Sequence, residues 1–380
     1  MAPESVNHQK GPDTTAPPSI CLAMIVRNEA RTLPRLVASL DGVIDRWLII
    51  DTGSDDRTPE VARALLGHLP GELVQRPWVN FGHNRTELMD RCRDLEGVTH
   101  LLLVDADHEV EVGDGLRAQL ASSTADRFWV WVHSGPRQFQ MPYLVRKGPH
   151  WVYRGPTHEY LDCDEPITSE LTTELSITHH ADGGHRAEKY TRDLDMLLQH
   201  LDEHPDDSRS TFYLGQTYLM LGRPEEAIAT YERRVTQGGF YEERYYALLM
   251  IGDLQTSLGR PAEALWAWQR AIQQSPGRAE AYHRLGRALN QHQQWWPARV
   301  WLEHGAQLAP THDKLFVEGW VAEWGIDFEL ALARWWTGDR SVAMATFAEL
   351  AERSDVDPAH REACRSNMRF DEDQTGLVQD

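Results

Sequence analysis

An α/β sheet domain followed by a separate all-α repeat domain is the architecture this sequence predicts, on three observations. Before about residue 112, apolar runs such as ICLAMIV (from Ile20) and LLLV (from Leu101) alternate with helix-patterned segments, the order of a parallel sheet. After about Gly184 the strand signals stop and helical segments recur at a near-constant spacing. A chain of 380 residues also exceeds what one hydrophobic core comfortably serves. The expected boundaries are a disordered, Pro-rich lead-in over 1–18, the α/β domain over 19–187, the helical domain over 188–370 and an acidic tail over 371–380.

The first strand is ICLAMIV, Ile20 to Val26, and RTLPRLVASL begins a helix. A second strand, RWLIID (Arg46 to Asp51), leads through TGSDDRT into the helix TPEVARALLGHL, with Thr58 as a plausible cap and Pro59 at the first helical position. ELVQRPW is a third strand, Arg85 to Leu95 a helix, and THLLLVDAD a fourth strand. Residues 128–180 change character: FWVWVHS, QMPYLVRK, HWVYRG and SELTTELSITHH read as shorter, mixed strands extending the same sheet.

In the second half, LGQTYLMLGRPEEAIATYERRV (from Leu214) returns as IGDLQTSLGRPAEALWAWQRAI (from Ile251) and LGRALNQHQQWWPARVWLEHGA (from Leu285). The offsets between Gly215, Gly252 and Gly286 are 37 and 34 residues. Helix–turn–helix units of about 34 residues, with small residues at the helix contacts, match tetratricopeptide repeats. LALARWWTGDRSVAMATFAEL, from Leu330, fits an atypical capping unit. Nine of the 14 tryptophans lie beyond residue 260, and most should fill helix–helix contacts. Neighbours such as Trp295 and Trp296 cannot both face one core, so one of each pair should be exposed or lie at a repeat junction.

The net charge of −20 is shared by both halves and opposes binding to nucleic-acid backbones or anionic membranes. No apolar run approaches the ~18 residues that span a bilayer. The first 18 residues lack the apolar core of a signal peptide. Cys21, Cys92, Cys163 and Cys364 are far apart, form no C-x-x-C pair and read as free thiols. A cytoplasmic protein is the expectation.

The chemistry concentrates at Leu101 to Val110, LLLVDADHEV, where a buried strand runs into Asp105 and Asp107. Ligands of open α/β sheets collect outside the carboxyl ends of the strands. Two hard oxygen ligands there suit a Mg²⁺ or Mn²⁺ that also holds a diphosphate.

MIVRNEA (Met24 to Ala30), IIDTGSDDRT (Ile49 to Thr58), NRTEL (Asn84 to Leu88), VDADHE (Val104 to Glu109) and GPTHE (Gly155 to Glu159) stand in a specific order. Together they resemble family 2 inverting glycosyltransferases of the GT-A fold. The subgroup with C-terminal tetratricopeptide repeats is the nearest likeness, including bacterial sublancin-type peptide S-glycosyltransferases. The likeness covers roughly residues 19–190, with the repeats beyond. It implies that Val26, Arg27 and Glu29 meet the base and ribose of a nucleotide-sugar, a UDP-sugar above all. Asp51 would accept from a base N–H; the other reading is a turn residue before TGS. Arg85 would bond the diphosphate, although this chain has Asn84-Arg85-Thr86 where the family has A-R-N. Asp105 and Asp107 would hold the ribose and the metal. His179, which continues the alternation of Leu175 and Ile177, would approach the diphosphate or complete the metal shell, or else stand in a histidine-rich turn with His180. His108 either reaches the donor sugar or lies on the surface.

His158 and Glu159 resemble the subgroup's acceptor-side motif. Glu159 is the candidate general base, and the competing reading pairs it with Arg154 or Arg146. The activity implied is metal-dependent transfer to a peptide or protein acceptor held partly by the repeats. Two other readings stand: transfer to a small molecule, lipid or glycan with the repeats forming a homodimer, and a non-catalytic repeat scaffold.

Overall fold

A computed structural model of the chain describes residues 17–135, 137–180, 182 and 189–376. The expected lead-in therefore lies almost wholly outside the described residues, as does Gly184, after which the strand signals of the sequence stop. The chain divides into two compact units, residues 1–196 and 197–380.

Unit 1 is built on an eight-stranded mixed sheet, in the order β3 (Gly71–Gln75), β2 (Arg46–Asp51), β1 (Ile20–Val26), β4 (His100–Leu102), β7 (Arg137–Arg146), β6 (Arg127–Ser134), β10 (Ser169–His179) and β5 (His108–Val112). Strands β1 (Ile20–Val26), β2 (Arg46–Asp51), β3 (Gly71–Gln75) and β4 (His100–Leu102) pair in parallel, as their helix-separated order requires. In β1 the side chains alternate between two cores. Ile20, Leu22, Met24 and Val26 face Leu33 and Leu36 of α1 (Leu33–Ser39), Ala62 and Leu66 of α2 (Thr58–Leu66) and their neighbours. Cys21 and Ala23 face Leu88, Met89 and Cys92 of α3 (Phe81–Arg93). Burial on both faces is why β1 and β2 read as continuous apolar runs.

Two expectations need correction here. The fourth strand ends at Leu102 rather than running through Asp107, although Leu103 N–H still donates to the Tyr143 carbonyl at 2.7 Å. HEVEV forms an unexpected fifth strand, β5 (His108–Val112), before α4 (Leu116–Ser122). Downstream, β6 (Arg127–Ser134), β7 (Arg137–Arg146) and β10 (Ser169–His179) extend the sheet as expected. The segment around Trp151 does not. β8 (Trp151–Arg154) and β9 (Tyr160–Cys163) form a separate hairpin. That hairpin is clasped to α3: Thr86 Oγ1 donates to the Tyr153 carbonyl at 3.2 Å and accepts from its N–H at 2.9 Å. A Cβ on Gly82 would stand 2.2 Å from the Gly155 carbonyl oxygen, so only glycine permits this approach.

α5 (Lys189–Glu203) contains the division between the units. Unit 2 then stacks four helical hairpins: α6 (Ser208–Met220) with α7 (Pro224–Thr236), α8 (Tyr241–Ser257) with α9 (Pro261–Gln274), α10 (Ala279–Gln291) with α11 (Trp295–Gly305), and α12 (Ile326–Trp336) with α13 (Arg340–Glu352). A π-helical turn, Val321–Gly325, precedes α12, and α14 (Pro358–Gly376) closes the stack, reaching into what the sequence suggested was tail. The repeated LGRP works the same way twice. Gly222 and Gly259 take the left-handed conformation (φ +68° and +72°) past one helix, and Pro224 and Pro261 begin the next. The small residue inside each first helix is a contact point: a Cβ on Gly252 would stand 2.2 Å from the Trp268 ring.

The tryptophan pairs split as expected. Trp296 is 63% exposed, while Trp335 is core and Trp336 is its exposed neighbour. Trp336 stacks face to face on Trp295 at 5.2 Å.

Candidate active site

The loops after β1 and β2 are laced together. Asn28 takes a left-handed conformation (φ 58°), donates its N–H to Ser54 Oγ at 2.9 Å, and accepts from Asp55 N–H through its side chain. Glu29 N–H donates to Thr58 Oγ1 at 2.7 Å, and Thr52 N–H to the Val26 carbonyl at 2.9 Å. These bonds present Val26, Arg27, Glu29 and Thr52 along one wall of a cavity of about 390 Å³. Asp51 is absent from that lining. It is fully buried, and its carboxylate accepts from Ser54 N–H at 3.1 Å and Ser54 Oγ at 2.6 Å. The geometry thus favours the turn reading over the base-reading one.

Arg85 reaches the cavity from the first half of α3. Asn80 caps that helix by accepting from His83 N–H, and buried Asn84 ties down the preceding turn through Val79 N–H and the Pro77 carbonyl. The Arg85 guanidinium, 8% exposed, lies between two carboxylates: Asp105 Oδ1 at 2.5 Å and Glu159 Oε1 at 2.8 Å. The Asp105 contact is a hydrogen bond, whereas the Nε–H is not aligned on Glu159, so that contact is an ion pair only. Burial pushes the Asp105 carboxyl up, but Arg85 overcomes this and holds it below the usual range. Tyr153, under the guanidinium at 5.4 Å, is pushed up to about 12 by burial and stays protonated.

His158 and Glu159 do not line the cavity. His158 sits in the β8–β9 turn with φ 51°. Glu159 pairs with Arg85, not with Arg154, which bonds Asp162 and Asp164, nor with Arg146, which bonds backbone carbonyls. Glu159 thus stands against the buried Arg85 guanidinium and outside the cavity lining, the place of a residue that supports Arg85.

β10 pairs antiparallel with β5 so that His179 lies opposite His108, beside Asp107. Among the described residues, Asp107, His108 and His179 form the one cluster whose ligand atoms, all within 4.8 Å, suit a metal. His108 is an unsuitable member. Its Nδ1 accepts the Asp105 N–H at 3.1 Å, which leaves the ring proton of a neutral imidazole on Nε2, and burial keeps the ring neutral. Asp107 Oδ2 and His179 Nε2, 3.2 Å apart, remain as one hard oxygen and one imidazole nitrogen facing the cavity. His180 is drawn away to Glu109 at 2.8 Å.

Residues not expected from the sequence complete the lining. Trp78 and Phe81 meet edge to face at 4.8 Å, and Lys189 and Arg192 contribute two cations from the start of α5. Arg192 lies 5.7 Å over the Phe81 ring. Behind the acidic pair, Arg35 donates to the Asp107 carbonyl and is held by Asp182 at 2.7 Å. Arg35 in turn lowers the Asp182 carboxyl to about 2. The RPWVNFG run carried a signal for the aromatics; Lys189 and Arg192 sit in a helix that the sequence suggested only as the start of the repeats.

A family model for the tetratricopeptide repeat matches residues 186–242. A TPR repeat-containing protein of Synechococcus elongatus is 28% identical over 241 residues, 58% of this chain and 57% of the relative. An uncharacterised glycosyltransferase of Rickettsia bellii is 26% identical over 107 residues, 28% of this chain and 34% of the relative. The matches thus span little more than half, or about a third, of the relatives' own length. Among solved structures, YrrB, described as a TPR protein with an unusual peptide-binding site, aligns with TM-score 0.37 and 16% identity, over 47% of this chain and 85% of that one. The chain therefore joins a mixed α/β half to a helical, tetratricopeptide-repeat-like half, and it has distant similarity to proteins named glycosyltransferases.

Proposed function

We propose that the chain is a metal-assisted glycosyltransferase that moves a sugar from a nucleotide-sugar, with a UDP-sugar as the favoured donor, to a peptide or protein acceptor. The observation that carries this reading is the cavity at the carboxyl ends of β1 and β4. There Asp105 and Asp107 share one lining with Arg27, Arg85, Lys189 and Arg192. Four cations and an acidic pair suit a diphosphate together with a divalent ion. The names of the Rickettsia relatives point the same way.

Asp107 and His179 fit a Mn²⁺ or Mg²⁺, and the ion would neutralise charge on the leaving diphosphate. The chain's own residues do the positioning. Arg85, fixed by Asp105 and Glu159, aims a guanidinium into the cavity. Trp78 and Phe81 offer apolar ring surface for a base or sugar face. A screen of nucleotide-sugars for acceptor-free hydrolysis, read by mass spectrometry, tests the proposal. Turnover of one donor, lost on adding EDTA, is expected; no turnover with any donor would contradict it.

A homodimer through the repeats is a second reading, supported by Trp266, Trp296 and Trp336, each more than half exposed. Sedimentation of wild type and Trp296→Ala tests it, with a dimer weakened by the substitution as the expected result.

A further inference from the structure

The segment between α11 and the π-helical turn lies across the first helices of three successive hairpins in unit 2. Its contacts are of the kind a groove makes with an extended peptide. Glu242 of α8, 7% exposed, accepts two consecutive backbone N–H groups with one oxygen, from Lys314 at 2.9 Å and Leu315 at 2.7 Å. Glu280 of α10 accepts a third, from Glu318 at 3.1 Å. Arg278, 1% exposed and locked to Glu280 at 2.7 Å, donates to the carbonyls of Leu315 and Phe316. Side chains that read backbone in this way hold a chain irrespective of its sequence.

Three side chains add selectivity. Asp313 accepts from Tyr241 Oη at 2.5 Å and from Arg278. Glu318 forms a two-point pair with Arg284, at 2.7 and 3.2 Å. Phe316 packs on Tyr246 of α8 at 4.5 Å and on Phe212 of α6 at 6.4 Å. Phe316 nevertheless remains 43% exposed and takes φ 49°, a left-handed conformation that costs a bulky residue energy. The segment is thus held by polar backbone recognition and one half-buried ring, not by burial in a core.

We propose that the face formed by α6, α8 and α10 is a peptide-binding site occupied by the chain's own segment Thr311–Gly319. The partner class it takes is an extended peptide with an aromatic residue between two acidic ones, spaced as Asp-x-x-Phe-x-Glu. Such a peptide competes with the tethered segment, whose high effective concentration keeps the site closed until a partner is abundant or tight. This inference does not depend on the transferase chemistry, because its test reads peptide binding alone.

The test uses a fluorescent synthetic peptide of residues 311–319 and the full-length chain. The variant Asp313→Ala/Phe316→Ala/Glu318→Ala strips the tethered segment of its three anchors. It should bind the peptide at least roughly tenfold more tightly than wild type does. A peptide carrying the same three alanines should bind neither protein. A folded variant, checked by circular dichroism, that fails to bind the peptide would overturn the proposal, as would equal binding to wild type and variant. Hydrogen exchange on wild type keeps the test decisive if the variant does not fold. Excess peptide should speed exchange at the Lys314 and Leu315 amides, and unchanged exchange there at saturating peptide would also overturn it.

Discussion

At Arg85, two accounts of Glu159 predict different outcomes. If Glu159 supports Arg85, Glu159→Gln should weaken nucleotide binding and leave turnover at saturating donor near normal. A fall in turnover of roughly 10²–10⁴-fold with unchanged donor affinity would restore Glu159 as the base. Lys189→Ala/Arg192→Ala should raise the UDP dissociation constant roughly tenfold or more, since hydrogen bonds to charged groups contribute about 1.5–3 kcal/mol. Equal affinity in a titration would remove both from the donor site. Two buried histidines set a pH dependence of stability. Burial, then Arg146, holds His100 down at about 4; burial, then Arg284, holds His283 at about 3. Both values lie below the ordinary 6.5, so the unfolded chain takes up protons that the folded chain refuses. The contribution is whole above about pH 6.5 and declines toward pH 4, by about 1.4 kcal/mol per pH unit for each histidine. Urea midpoints at pH 7 and pH 5 check this; equal midpoints would contradict it.

The strands and helices that position the cavity differ in how clearly the sequence announces them. ICLAMIV and RWLIID are buried on both faces and could be read directly. HEVEV could not: its alternation is short, and the turn after Asp105 interrupts the strand signal before it. WVYR was legible as a strand but not as part of a separate hairpin, because what detaches it is the clasp to Thr86 and the close approach at Gly82. His179 could be placed from the alternation of Leu175 and Ile177, while its neighbour His108 depended on the unannounced β5 register. Asp51 shows the limit at a single position, since strand pattern locates it but only the Ser54 bonds show where its carboxylate is spent. In the repeats, the spacing of Gly215, Gly252 and Gly286 is packing made visible. Gly252→Ala should drive a methyl into Trp268 and cost about 1–3 kcal/mol of unit 2 stability by denaturation. A cost near zero would mean that the hairpin opens to admit it.

For the molecule as a whole, the division into an α/β unit and a helical unit was legible because the two periodicities do not mix. The position of the division was less so, since it falls inside α5, whose first turn carries Lys189 and Arg192 into the cavity. A chain ending at residue 187 should therefore lose UDP affinity even where circular dichroism shows the sheet intact. No helix among the described residues is long and apolar enough to cross a membrane. The central claim is that Asp105, Asp107 and the surrounding cations form a metal-dependent nucleotide-diphosphate site. Calorimetric titration of UDP into the full-length chain with Mn²⁺, repeated with EDTA and with Asp107→Asn, tests it most directly. The account predicts binding that disappears with either change while the fold is kept. Absence of UDP binding in the presence of Mn²⁺, or binding indifferent to both EDTA and the substitution, would contradict it.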